Sequence, residues 1–229
     1  MTPDSEEWTG PVEDSGEALP VLDRQERFTG SVWSVVSDRV DFGAVQAVRD
    51  VQLHPGAVAI IALDDAERVL LIRQYRHPVG EYLFEPPAGL LDAPGEPAWR
   101  TAARELAEEA GFEARQWDVL VDVFLSPGGS SEAIRVYLAR DLRRMPAGRE
   151  LTGEAEEAHL PRAWVPLEEA RDLVLTGRIG SPSAVVGILA AWAARGEGWR
   201  TLRPADAPWP ARAHLLANDR VHERRRTGA

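Results

Sequence analysis

The 229-residue sequence contains no cysteine and no lysine. Without cysteine there is no thiol nucleophile, no disulfide and no thiolate zinc site. Without lysine there is no Schiff base and no Walker-type phosphate lysine. All 26 basic residues are arginine. His54 and His77 stand isolated, with no His pair at ligand spacing, so neither is assigned to a metal. No apolar run approaches the ~18 residues of a membrane span, and no internal repeat is visible. The opening MTPDSEEWTGPVEDSGEALP is acidic and lacks the apolar core of a secretory signal. A formal net charge of -11 argues against a nucleic-acid backbone as partner. The expectation is a soluble cytoplasmic protein that binds neither nucleic acid nor membrane. Hydrophobic residues make up 44%, enough for a sizeable core.

What is present divides the chain into four parts. Residues 1–20, rich in acid, Ser, Pro and Gly, read as a flexible arm. Residues 21–53 hold β-branched runs that read as two strands between Phe28 and Val51, turning around Asp38 and Arg39. Residues 54–195 form the main domain. Ala57 to Leu63 is a continuous apolar run, fitting a buried strand, and Arg68 to Gln74 completes a hairpin with it. RQYRHPVGEYLFEPPAG is too irregular for one element. Strands are expected over Trp117–Phe124, Ala133–Ala139 and Arg162–Val165, and helices over Pro166–Leu175 and Ser183–Arg195. The last of these is apolar nearly all round, which suits a core or a subunit interface. Residues 196–229 are an extension with a basic end and a short helix within Pro210–Arg226.

The chemistry concentrates in Gly89 to Phe112, GLLDAPGEPAWRTAARELAEEAGF. Pro97 suits a first helical turn and Gly111 a helix end. Ala98 to Ala110 has no internal Gly or Pro and predicts one helix. Glu105, Glu108 and Glu109 then share roughly one face, because residues three and four apart are helical neighbours. Like charges at that spacing cost a few tenths of a kcal/mol per pair, roughly. A bound divalent cation is the simplest offset. Taken alone, an acidic helix face is ordinary solvated surface; the surrounding pattern is what argues otherwise.

That pattern is G-x6-E-x7-R-E-L-x-E-E-x-G-F, and it resembles the signature of the Nudix hydrolases, G-x5-E-x7-R-E-U-x-E-E-x-G-U with U a bulky aliphatic. Gly89, Glu96, Arg104, Glu105, Glu108, Glu109 and Gly111 fill the fixed positions. The opening loop is one residue longer than the pattern, and Phe112 replaces an aliphatic. The resemblance implies an α/β fold, an α/β/α sandwich around a mixed sheet, preceded by the N-terminal strand pair. It implies hydrolysis of nucleoside diphosphates linked to another group, with Mg2+ or Mn2+, two or three per site. Hard cations bind carboxylate and phosphate oxygens and stabilise the charge that diphosphate cleavage develops. Glu105 and Glu109 are implied as the main ligands, with Glu108 an additional ligand or a supporting carboxylate. The Ala88 carbonyl is a further implied ligand. Arg104 cannot ligate a cation, and four residues before Glu108 it suits a salt bridge that orients the glutamates. Glu96 suits capping or supporting the helix.

The flanks, RQYRHPVGEYLFEPPAGLLD before and SPGGSSEAIRVYLA after, resemble the ADP-ribose pyrophosphatases. A proline about sixteen residues beyond the final Gly marks that branch, and Pro127 is sixteen after Gly111. Glu132 holds the position of a loop glutamate that activates the attacking water or binds a metal. Arg73 and Arg76 beside Tyr75 suit phosphate or a terminal ribose. Glu85 suits a ribose hydroxyl or an arginine. Trp33 suits stacking on adenine or packing in the core. The implied reaction converts ADP-ribose to AMP and ribose 5-phosphate. Alternatives are a pyrophosphatase of another nucleotide sugar, such as GDP-mannose, and a non-catalytic regulator that senses ADP-ribose. The branch also implies a homodimer built through the N-terminal strands.

Overall fold

A computed structural model describes residues 7–146 and 160–222. The first six residues of the acidic arm, most of the polar stretch after Met145 and the basic end lie outside the described residues. Residues 7–20 contain no helix or strand.

Three sheets form. The first has the order β1 (Val21–Thr29), β2 (Ser34–Asp41), β3 (Gln46–Leu53), all antiparallel. The expected strand pair is therefore three strands, and the turn is not at Asp38 and Arg39. Both residues lie inside β2, facing Arg24 and Asp23 of β1. The chain reverses at Phe42–Val45, closed by the Phe42 N–H donating to the Val45 carbonyl at 2.9 Å. Asp38 is fully buried, and Arg24 donates to its two carboxylate oxygens at 2.7 and 2.8 Å. An acid that signals a turn in the sequence is here the inner half of a cross-strand ion pair.

Next come β4 (Ala57–Ala62), β5 (Arg68–Arg76), β6 (Glu81–Glu85) and the short β7 (Ala88–Leu90). The irregular stretch after β5 is thus a β-hairpin running into β7. Beyond the acidic helix lie β8 (Phe112–Phe124), β9 (Ala133–Arg144) and β10 (Arg162–Pro166), and later β11 (Arg203–Pro204). The central sheet has the order β11-β8-β9-β4-β7. Only β4 and β9 run parallel in it, so it is mixed. A third sheet has the order β10-β5-β6.

The acidic stretch opens as α1 (Ala98–Glu105). α2 (Leu167–Leu175), α3 (Pro182–Gly196) and α4 (Pro210–Ala217) follow. Every residue of β4 is buried, which accounts for its unbroken apolar run. Successive side chains of a strand point to opposite faces. Ala57, Ala59 and Ile61 accordingly pack with Ala184, Ile188 and Ala191 of α3. Val58, Ile60 and Ala62 pack with Ala102 of α1 and with Leu106 and Ala110 just beyond it. One strand so carries helical layers on both faces, giving an α/β/α sandwich. The interior of α3 is tight at Gly187, where an added Cβ would lie 2.7 Å from Ile61 Cδ1.

Candidate active site

The acidic helix is not uniform. α1 ends at Glu105 and the chain continues as a wider π-helical turn, Leu106–Ala110. Such turns change the angular spacing of side chains and recur at functional sites. Gly111 closes it with φ of 70°, a left-handed cap that glycine adopts at no steric cost. Arg162 of β10 donates to the Ala110 carbonyl, tying the last turn to the third sheet. The three glutamates expected on one face do not all point alike: Glu105 and Glu108 share Arg104. Glu108 faces Arg104, while Glu109 turns inward and is only 5% exposed.

Inward, Glu109 meets β7. The Ala88 N–H donates to Glu109 Oε2 at 2.8 Å. Glu105 lies over the neighbouring residue, Gly89, where any Cβ would collide with the Glu105 carboxyl group. Gly89 thus serves close approach, since its φ is not positive. Arg104 bridges Glu105 Oε1 and Glu108 Oε2, both at 2.8 Å. Its other terminal nitrogen is 3.8 Å from Glu96. Glu96 in turn accepts a hydrogen bond from the Thr101 hydroxyl at 2.9 Å, bracing the first turns of α1.

These groups fit a hard divalent cation by chemistry. The side chains brought together here carry oxygen donors: Glu105 over Gly89, Glu109 on the Ala88 N–H, and Glu108 linked to Glu105 through Arg104, and the lack of a side chain at Gly89 makes room for Glu105. Among the described residues no three acid or imidazole groups stand in a ready-made ligand cluster. Binding a cation would therefore draw the carboxylates from their present partners, Arg104 and the Ala88 N–H.

Glu132 sits just before β9. Its carboxyl group is pushed above its ordinary value by burial, an effect partly offset by the positive charge of Arg76. Arg76 is thereby an electrostatic neighbour of Glu132. It also donates twice to Glu85 Oε2, at 2.9 and 2.6 Å. Of the two readings of Glu85, holding an arginine is the one the structure displays. Arg73 lies on the same hairpin with its guanidinium 4.2 Å from the Tyr82 ring centroid. Trp33 lies in the turn between β1 and β2, against Phe28 at 5.4 Å, and is partly exposed instead of core.

Sequence reasoning passed over His54, which lies against Glu132. His54 Nε2 is 3.8 Å from Glu132 Oε1. Burial, reinforced by the charge of His222, lowers the imidazole from its ordinary 6.5 to about 4. At neutral pH the imidazole is thus neutral, and the contact is not a salt bridge. Its only sequence signal was a lone histidine two residues before a glycine that requires positive φ, Gly56.

An acidic helix on a mixed-sheet sandwich, with Glu105 and Glu109 set against β7, is an arrangement suited to hard-cation and phosphate chemistry. The Nudix domain model matches residues 53–184, and the chain belongs to that family. It is 44% identical over 194 residues to the ADP-ribose pyrophosphatase of Mycobacterium tuberculosis, covering 84% of this chain and 92% of that protein. It is 34% identical over 152 residues to the ADP-ribose pyrophosphatase of Bacillus subtilis, covering 66% and 80%. A solved structure of an ADP compounds hydrolase superposes with a TM-score of 0.69 at 25% identity, over 81% of this chain and 99% of that one.

Proposed function

We propose that this protein hydrolyses ADP-ribose to AMP and ribose 5-phosphate with the help of Mg2+ or Mn2+, two or three ions per site. The observation that carries the substrate is the 44% identity to an ADP-ribose pyrophosphatase along 92% of that enzyme. The seating of Glu105 and Glu109 on β7 supports the reaction type.

The carboxylates of Glu105 and Glu109 would hold the ions, with Glu108 and the Ala88 carbonyl completing the set. Bound cations supply neutralisation of the diphosphate charge and a more acidic water. Arg104 keeps Glu105 and Glu108 oriented from their outer side. Glu132 accepts the proton of the attacking water. A carboxylate whose pKa burial has raised is the stronger base for that task. Water oxygen bonds to one phosphorus, the bridging P–O bond breaks, and the two phosphate products leave. Arg76, fixed by Glu85, and Arg73, spread on Tyr82, meet phosphate or the terminal ribose. Trp33 offers a face to adenine. The protein works as a cytoplasmic homodimer in which the N-terminal strands meet the partner, and residues 54–195 act as the catalytic domain.

A substrate panel with Mg2+ tests this reading. ADP-ribose should be the preferred compound. Strong GDP-mannose turnover beside weak ADP-ribose turnover would move the protein to another nucleotide sugar. ADP-ribose binding without hydrolysis, together with a DNA gel-shift, would make it a regulator.

A further inference from the structure

The loop that carries Glu132 is docked on the end of β3. The Gln52 N–H donates to the Gly129 carbonyl at 2.8 Å, and the Ser131 N–H donates back to the Gln52 carbonyl at 2.9 Å. The His54 N–H donates to Ser131 Oγ at 3.0 Å. Ser130 Oγ accepts from the Glu132 N–H at 3.2 Å. The backbone up to Glu132 is thereby tied to β3. Two groups face the Glu132 side chain: the His54 ring, and Arg76, whose positive charge acts on it while its guanidinium is held by Glu85.

The ring has a defined tautomer. The Gly56 N–H donates to His54 Nδ1 at 3.1 Å. An N–H cannot donate to a protonated ring nitrogen, so in the neutral ring the proton resides on Nε2. Gly56 makes this geometry with φ of 84°, which a residue bearing Cβ adopts only with strain. The nitrogen carrying the proton is the one 3.8 Å from Glu132 Oε1. That separation exceeds a hydrogen bond, so the carboxylate must come closer for the contact to form. Contacts of this kind commonly tighten only in the substrate complex.

We infer that His54 is a positioning residue for the reaction: its neutral Nε2–H orients the Glu132 carboxylate while leaving that carboxylate able to accept a proton. The inference rests on the reading of Glu132 as the group that takes the proton from water. A charged imidazolium would do the opposite, holding Glu132 ionised and weakening it as a base. Burial keeps the ring neutral, helped by His222, whose own backbone N–H donates to the His54 carbonyl at 3.4 Å. Arg212 closes the other side through the adjacent Pro55 carbonyl at 2.6 Å. The C-terminal extension so packs on the same segment that presents the ring.

Steady-state kinetics of His54→Phe, His54→Gln, Glu132→Gln and the His54→Phe/Glu132→Gln double variant test it. Loss of an orienting partner costs roughly 10- to 100-fold in activity, so His54→Phe should lose that in kcat with KM little changed. His54→Gln, which restores an N–H donor, should recover most of the loss. The double variant should be no slower than Glu132→Gln alone. Equal losses for Phe and Gln, or losses that multiply in the double variant, overturn the inference. Near wild-type turnover of Glu132→Gln would instead sink the reading of Glu132 itself. A 15N spectrum of the wild-type protein at neutral pH decides the matter if His54→Phe does not fold. The expected signature is an unprotonated Nδ1 and a protonated Nε2; the reverse tautomer overturns the inference.

Discussion

Glu109 and Ala88 are twenty-one positions apart and joined by a 2.8 Å hydrogen bond from the Ala88 N–H to Glu109 Oε2. This contact pins the inner carboxylate of the π-helical turn to β7, so one short strand supports both the buried glutamate and, through Gly89, Glu105.

Glu109→Gln keeps the shape and an acceptor oxygen but removes the charge. We expect kcat/KM to fall by roughly 100- to 1000-fold, the size seen when one preorganised charge-stabilising contact is lost. The melting temperature should change little. Glu105→Gln should behave alike. Near wild-type rates in both variants, measured by AMP formation, would remove these residues from the cation site.

Gly89→Ala probes the seating of Glu105. The new Cβ would meet the Glu105 carboxyl group, which must then shift outward. Misplacing a catalytic group by about 1 Å costs on the order of 100-fold in rate. The expected result is a large loss of kcat with a raised cation requirement in a Mg2+ titration. Unchanged cation dependence would show that Glu105 has room to spare.

Gly187→Ala acts on stability alone. Its Cβ would press on Ile61 Cδ1 at 2.7 Å and Cγ1 at 2.8 Å, and Ile61 is fully buried and has nowhere to retreat. Overpacking of this kind costs about 1–3 kcal/mol. Denaturant unfolding should show that loss, while kcat per folded molecule stays the same.

The pH profile follows from Glu132. Its carboxyl group titrates above the ordinary 4.5 because of burial. As a base it must be ionised, so kcat should rise through a limb lying above pH 4.5, and Glu132→Gln should abolish that limb. The stability sign is the reverse. A raised folded-state value favours the protonated form, so its contribution is full below 4.5 and is lost as pH rises through the folded-state value. Glu132→Gln should remove that part of the pH dependence of unfolding. A limb unchanged in this variant would assign it to another group.

Much of this fold was legible in the sequence. The apolar run of β4 follows from burial on both faces, and α2 and α3 from periodicity. The expected hairpin of β4 with β5 does not form, because β4 pairs with β7 and β9 while β5 joins β6 and β10 in another sheet, leaving one isolated Leu63–Val69 bridge between them. β1 was not legible, because VLDRQERFT has neither alternation nor an apolar face. It is held by pairing to β2 and by the Arg24–Asp38 ion pair, a long-range partnership that no local pattern reports. The carboxylate cluster was legible as spacing, but its π-helical turn was not, since Leu106–Ala110 holds good α-helix formers. His54 was invisible as a functional residue because its meaning depends on Ser131, Gly56 and Glu132, which only the fold assembles around it.

The most direct measurement is ADP-ribose turnover by the purified wild-type protein, with products resolved by chromatography, in Mg2+ and in excess chelator. The account predicts AMP and ribose 5-phosphate in equal amounts with Mg2+ and negligible turnover in chelator, restored by added Mg2+ or Mn2+. Undiminished hydrolysis in chelator, or no ADP-ribose hydrolysis with either cation, would contradict it.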